Sequence, residues 1–282
     1  MKAAVRDAVA WLLEFEPVWA AFVGICVRLQ SSETVQYYFR IMLFLKCEAA
    51  MADIKVMLER ENREFKVMSG PFEGMLAIGD ACGSSMPPKV LGTYERELHA
   101  EFPKNRQYDR VYNIGSAEGY YAVGLLVSGC TSQVHCFDLS DEAHRLCRSL
   151  AVVNGIEQGI VQHGGCERED VMAFDASAPT LVLCDCEGHE AQLFDRDSAG
   201  HLAGADVIIE VHEHLGASLA DLESAFSETH DVHVIAALDD WARAVYPLPG
   251  SLKGLPLATR ILLTAERRAP MHWLVARSRV TA

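Results

Sequence analysis

Tyr108 to Asp138 read YDRVYNIGSAEGYYAVGLLVSGCTSQVHCFD, and this stretch decides the fold. An apolar run ends at Gly115, and Gly119 follows four residues later. Next comes a segment with apolar residues at helical spacing, and then a second apolar run that ends at Asp138. This order is typical of the first βαβ unit of a nucleotide-binding α/β domain. The two glycines would let the backbone bend sharply and approach a ligand closely. Asp138 is placed to accept hydrogen bonds from both hydroxyls of a ribose.

Apolar runs and helical-period segments continue to alternate after Asp138. This alternation predicts a doubly wound, mostly parallel seven-stranded α/β sheet of the Rossmann-like kind. Residues 237–269 are rich in proline, glycine and arginine, and we interpret them as an irregular insertion that could form a substrate lid. The later strands are predicted at 160–163, 181–186, 205–212, 232–236 and 273–276.

The first 64 residues have a different pattern from the rest of the chain. Ser31-Ser32 is a candidate helix N-cap, and neither glycine nor proline interrupts the sequence from there to Ser69. We therefore interpret 1–64 as a helical N-terminal extension and 65–282 as the catalytic domain. The extension could cap the domain or form a homodimer through its helices, and simple packing against its own domain is an equal alternative.

Composition argues against two classes of partner. The chain of 282 residues has 39 acidic and 25 basic residues, a formal charge of −14, which disfavours nucleic acid and anionic membrane surfaces. The apolar stretch 8–29 is interrupted by charged residues and a proline, which argues against a membrane-spanning helix and against a signal peptide. The nine cysteines contain no CxxC pair and suit a reduced, cytoplasmic environment. The breaks in 8–29 are Glu14, Glu16, Pro17 and Arg28.

The glycine turn differs from the GxGxxG turn of dinucleotide-binding proteins. Ala117 stands where the second glycine would admit a pyrophosphate, which suits a ligand without a diphosphate, such as S-adenosylmethionine. YNIGSAEGYYAVGLL resembles motif I of the class I S-adenosylmethionine-dependent methyltransferases, and Asp138 matches that family's ribose-binding acid. Many members have an acid where this chain has Asn113, whose carbonyl oxygen could still accept from the cofactor's ammonium. The alternative is a turn that only connects strand to helix.

A second resemblance involves CDCEGHEAQLFD at 184–195 and IIEVHEHL at 208–215. Both are similar to the FkbM-like methyltransferases, as are GPFEGM and LGTYERELH upstream. The resemblance covers roughly residues 89–277 and implies that Tyr94 and Glu95 lie over the methionine part of the cofactor. The cofactor-binding residues that the two resemblances imply are Tyr94, Glu95, Asn113, Gly115, Ser116, Gly119, Asp138, Leu139, Cys166 and Glu167.

Acidic residues and histidines follow the fourth and fifth predicted strands, whose carboxyl ends should face one crevice. Asp185, Glu210 and His212 could hold Mg²⁺ or another divalent cation against an acceptor hydroxyl. Without a metal, His212 or His189 could act as general base, with Asp185 also facing the acceptor. In a third interpretation, Glu187 merely caps the next helix.

These features predict methyl transfer from S-adenosylmethionine to a hydroxyl of a small molecule. The resemblance implies a sugar or a natural-product scaffold as the acceptor. N-methylation of an amine or peptide on the same fold remains open. So does a non-catalytic module that binds the cofactor or a partner.

Overall fold

The structure is a computed structural model, and it describes residues 15–102, 106–266 and 271–280. Its strands are β1 (Arg110–Ile114), β2 (Val134–Phe137), β3 (Ile160–His163), β4 (Thr180–Cys184), β5 (Ala205–Val211), β6 (His230–Ala236) and β7 (His272–Ser278). They form a seven-stranded sheet in the order β3-β2-β1-β4-β5-β7-β6. Neighbours from β3 to β5 are parallel, and β7 is antiparallel to β5 and β6. The prediction of a mostly parallel, seven-stranded α/β sheet is confirmed.

Helices cover both faces of the sheet. Those of the described residues are α1 (Glu16–Arg28), α2 (Glu33–Glu61), α3 (Met86–Leu91), α4 (Tyr120–Val127), α5 (Asp141–Val153), α6 (Arg168–Val171), α7 (Glu190–Leu193), α8 (Arg196–His201), α9 (Leu219–Phe226), α10 (Asp240–Val245) and α11 (Leu257–Thr264). Side chains of α4 and α5 pack on one face, and those of α6, α8 and α9 pack on the other. Burial on both faces explains why β4 and β5 consist almost entirely of apolar residues.

The central strands bring their carboxyl ends to one edge of the sheet. Asn113 of β1 lies opposite Cys136 of β2 and Leu183 of β4. The backbone contacts continue past the strands, since Gly115 N–H donates to Phe137 O at 2.8 Å and Asp185 N–H donates to Ile114 O at 2.9 Å. The loops that follow β1, β2 and β4 therefore start side by side.

The described part of the N-terminal region is helical, as predicted. Helices α1 and α2 share a core with α10 and α11: the buried Trp19 indole donates to Ala258 O at 2.9 Å, and Phe39 stacks on Trp241 with ring centroids 4.1 Å apart. Residues 1–14 lie outside the described residues. The division of the chain at residue 64 stays a prediction.

One local prediction was wrong. Residues 237–266 are not irregular, because α10 and α11 form there and pack against α1 and α2; residues 267–269 lie outside the described residues. The Thr93 hydroxyl donates to Pro88 O, and Glu95 has a left-handed φ of 46°. A 3₁₀ helix, Arg96–Glu101, follows.

The outward side of α1 and α2 is partly apolar. Ile25, Leu29, Tyr37 and Tyr38 are all exposed there. Association of two copies through these helices stays a prediction. Within the three described ranges, no helix has both the length and the apolar composition needed to cross a bilayer.

Candidate functional site

The turn after β1 adopts left-handed backbone at three of five positions, with φ of 73° at Gly115, 46° at Ala117 and 86° at Gly119. A Cβ atom at Gly115 would lie 1.6 Å from the carbonyl oxygen of Asp185, so a side chain is excluded there. At Gly119 a Cβ atom would meet Cys147 Sγ at 2.6 Å. Gly115 therefore allows the contact with β4, and Gly119 allows the packing of α4 against α5.

Asp138 follows β2 and holds the glycine turn. One carboxylate oxygen accepts from Ala117 N–H at 2.9 Å, and the other accepts from Ser140 N–H at 2.8 Å. Each oxygen of an ionised carboxylate has two lone pairs, so each keeps the capacity to accept from a ligand hydroxyl. The carboxylate is thus fixed in position before a ligand arrives.

A cavity of about 770 Å³ opens at the carboxyl ends of β1, β2, β4 and β5. It brings together most residues that the sequence singled out. Gly119 and Glu95 do not line it: Gly119 packs on Cys147, and Glu95 is buried beside Tyr121, whose hydroxyl donates to its carboxylate. The predicted site residues in its lining are Tyr94, Asn113, Gly115, Ser116, Asp138, Leu139, Cys166, Glu167, Asp185, His189, Glu210 and His212.

His212 lies at the centre of the carboxylate cluster and is buried. Its Nδ1 contacts Glu190 Oε1 at 2.6 Å, and Gly188 N–H donates to the same carboxylate oxygen at 3.1 Å. Its Nε2 faces carboxylate oxygens of Glu187 at 3.5 Å, Asp185 at 3.6 Å and Glu210 at 4.0 Å. A carboxylate on one ring nitrogen fixes the ring and leaves the other nitrogen for a proton or a metal.

The environment changes the pKa values of both members of this pair. Burial opposes the charged form of His212, but the hydrogen bond to Glu190 and the charges of Asp185, Glu190 and Glu187 together raise its pKa above 6.5. Burial likewise opposes ionisation of Glu190, yet the hydrogen bond and charge of His212 lower its pKa below 4.5. Each member of the pair therefore favours the charged form of the other.

The carboxylates divide into two sets that differ from the predicted metal site. Ligand atoms of Asp185, Glu187 and His212 lie within 4.8 Å of one another, and so do those of Glu95, Asp185 and Glu210. Glu187 thus lies nearer to His212 Nε2 than Glu210 does, and the metal set of Asp185, Glu210 and His212 stays a prediction. Glu187 does not cap α7, since His189 occupies the N-cap position and Glu190 accepts the Gly188 N–H.

The rim of the cavity carries the second candidate base. His189 Nε2 lies 3.5 Å from Glu167 Oε2, and both side chains are exposed. His214 also lines the cavity, with its ring centroid 5.9 Å from that of His212. Because His189 and His212 point to different carboxylates, they occupy separate places in the cavity.

The structure contains a buried ion pair that the sequence patterns did not predict. Lys89 of α3 pairs with Glu118 of the glycine turn and donates to Ser84 Oγ at 2.6 Å. Glu118 also accepts from Cys82 N–H at 3.0 Å, so the pair fixes the 82–84 loop against the turn. The available signal was Glu118 itself, a charged residue in the turn just before an apolar helix.

Glu266 is a further carboxyl group that only the structure identifies. It lines the cavity, accepts from Glu95 N–H at 3.2 Å and lies 3.4 Å from Arg243. Burial raises the pKa of Glu266 well above its usual value, although the Arg243 charge opposes the shift. Its position depends on the helices of the segment expected to be irregular.

No family model matches the sequence, and no curated protein matches it. Several solved structures are similar in fold. Methyltransferase FkbM from Methylobacillus flagellatus KT is 12% identical with a TM-score of 0.43, covering 63% of this chain and 46% of that protein. The B. subtilis M1A22 tRNA methyltransferase TrmK is 11% identical with a TM-score of 0.41, covering 66% and 65%. Spermidine synthase from Thermotoga maritima is 10% identical with a TM-score of 0.42, covering 63% and 56%.

The contact at Gly115 gives a prediction for stability. Gly115→Ala should lower the free energy of unfolding by more than about 4 kcal/mol, because the new Cβ overlaps the Asp185 carbonyl. Gly129→Ala is the matched control: its φ of 72° is nearly the same, but no atom lies within 4 Å of the added Cβ. It should lose only the left-handed backbone energy, about 1–2 kcal/mol. Urea unfolding measures both, and equal losses would contradict the role of the close contact.

The His212–Glu190 pair gives a prediction for pH dependence. We expect NMR titration to place the pKa of His212 above 6.5 and Glu190→Gln to lower it. Because folding raises the pKa of His212, its contribution to stability is fully present below pH 6.5. That contribution disappears as pH rises through the pKa of His212 in the folded protein. Because folding lowers the pKa of Glu190, the stabilisation from this carboxylate is lost as pH falls from 4.5 through the folded pKa. His99, whose pKa burial lowers, is the internal control and should not respond to Glu190→Gln.

Proposed function

We propose that this chain is a class I S-adenosylmethionine-dependent methyltransferase of the FkbM-like kind. One observation carries the proposal: the glycine turn, the Asp138 carboxylate and the histidine–carboxylate cluster all line a single cavity. A turn that only connected strand to helix would not need its carboxylate partner and its left-handed residues beside such a cluster. The cofactor and the acceptor would meet between these two groups.

The cofactor end is supported by polar groups that suit its parts. Asp138 would accept from the ribose hydroxyls while keeping its bonds to the turn. Asn113 is buried, and its Oδ1 accepts no hydrogen bond from the described residues. A buried acceptor without a donor is unfavourable by about 1–3 kcal/mol, and the cofactor's ammonium would relieve that cost. Backbone amides near Cys166 and Glu167 would meet the adenine.

At the acceptor end, methyl transfer needs an in-line approach of the nucleophile and exclusion of water. His212 Nε2 would receive the acceptor's proton, and Glu190 would hold the imidazole through Nδ1 and stabilise its charged form. The raised pKa makes the neutral imidazole of His212 a stronger base, and the neutral fraction grows as pH rises through the folded pKa. His189, on the rim, would contact the acceptor's outer part.

The oxygen-rich set of Asp185, Glu187 and His212 also suits a divalent cation such as Mg²⁺. A bound cation would lower the pKa of an acceptor hydroxyl and orient its oxygen. Glu190 would then orient the ligand histidine from the far side of the ring. Glu210 belongs to the second set, with Glu95 and Asp185, and would offer a further carboxylate oxygen from there.

A hydroxyl on a small molecule, such as a sugar or a natural-product scaffold, is the proposed acceptor. N-methylation of an amine is the second candidate, and the density of carboxylates around His212 favours it because they would attract a cationic acceptor. We place the protein in the cytoplasm as part of the proposal, with a homodimer through α1 and α2.

The cofactor assignment predicts a binding result. Calorimetry should detect S-adenosylhomocysteine bound to the wild type, and Asp138→Ala should weaken it by about 1–3 kcal/mol, the value of a charged hydrogen-bond partner. Asp141→Ala removes the same charge from an exposed position in the first turn of α5 and should leave binding unchanged. A folded wild type that fails to bind would rule out the methyltransferase function.

The metal assignment predicts a second result. Paramagnetic Mn²⁺ should broaden the NMR signals of His212 before those of the other histidines. Glu187→Gln should weaken Mn²⁺ binding at least about 10-fold, since outer partners alone are worth about 10–100-fold. Glu223→Gln, on the exposed side of α9, is the control with an equal change of charge. Absence of His212 broadening at millimolar Mn²⁺ would favour catalysis by His212 without a metal.

A further inference from the structure

The proposed function gives no role to the lysine of the cavity. Lys89 is the one lysine or arginine among the described residues that line the cavity. Only 7% of it is exposed, and its Nζ lies 4.7 Å from the ring centroid of Tyr94, another lining residue. A buried ammonium is unfavourable unless it is paired, and Glu118 supplies the pairing here.

Lys89 lies at the end of the cavity where the cofactor is proposed to bind. Its partner Glu118 follows Ala117, the residue whose N–H donates to Asp138. Lys89 therefore lies beside the turn that would hold the cofactor. Two of its three ammonium hydrogens have partners, in Ser84 and Glu118, and the third can donate to a ligand.

The cavity carries the opposite charge elsewhere. The carboxylates of Asp185 and Glu210 lie within 4.8 Å of each other and of Glu95, and both line the cavity. Asn113 Oδ1, which accepts no hydrogen bond within the described ranges, belongs to the same sheet face, since Asn113 pairs with Leu183, two residues before Asp185. One cavity thus offers a cation near the turn and acceptors near the ends of β1, β4 and β5.

We propose that Lys89 binds the carboxylate of the cofactor's amino acid portion, while Asn113 Oδ1 accepts a hydrogen bond from its ammonium. This inference rests on the proposed function. An α-amino acid carries both charges one carbon apart, and each charge needs its own partner when water is excluded. Lys89 would then select for ligands with an intact amino acid end.

The test removes the charge of Lys89 without leaving Glu118 unpaired. Lys89→Met alone would strand a buried carboxylate, so the variant is Lys89→Met combined with Glu118→Gln. Two probes are compared by calorimetry: S-adenosylhomocysteine, and 5′-methylthioadenosine, which has the same nucleoside and thioether but no amino acid portion. The control variant, Lys66→Met combined with Glu64→Gln, removes an exposed ion pair of the same kind.

We expect the double variant at positions 89 and 118 to lose about 10- to 100-fold in affinity for S-adenosylhomocysteine, the effect of one charged hydrogen bond. Its affinity for 5′-methylthioadenosine should stay within about threefold of wild type, since Lys89 does not contact that probe. The control at positions 64 and 66 should bind both probes like wild type.

Other outcomes overturn the inference. Equal weakening of both probes would show that Lys89 only fixes the 82–84 loop, and unchanged binding of both would show that it has no part in recognition. In either case a wild type that binds S-adenosylhomocysteine leaves the proposed function intact. A wild type that binds neither probe would remove the proposed function and the inference together.

Discussion

The close approach of two backbones, that of β1 at Gly115 and that of β4 at Asp185, is the constraint on which the cavity depends. Asp185 N–H donates to Ile114 O, and a side chain at position 115 would overlap the Asp185 carbonyl. The two strands stay in contact to their carboxyl ends because residue 115 has no Cβ. The glycine turn and the carboxylate cluster therefore open into one cavity rather than into two surface clefts.

The sequence predicts the fold well where its signals are local and periodic. The glycine turn, the alternating elements and the Ser32 cap of α2 all follow from neighbouring residues, and the structure contains each of them. The sequence did not predict secondary structure where contacts with distant parts of the chain determine it. Residues 237–266 read as irregular because prolines and glycines separate two short helices, whose apolar sides find partners only in the distant α1 and α2.

The candidate site also has some features that chain order predicts and others that depend on packing. Chain order was enough to predict that Asp185 and Glu210 face one crevice, because parallel strands end together. It could not predict which carboxylate faces His212 Nε2, since Glu187 reaches that position through a left-handed turn with φ of 54°. Nor could it pair Lys89 with Glu118, which come together only when α3 packs beside the glycine turn.

The place of β7 in the sheet has a consequence for how the protein is made. β7 lies between β5 and β6, so it pairs with both of them although it is the last of the seven strands to leave the ribosome. Until then β5 has an unpaired edge, the kind of surface through which nascent chains associate wrongly. Glu210 lies opposite Trp273 of β7, so this wall of the cavity is also the last to form. The site is therefore complete only after the last strand has paired with β5.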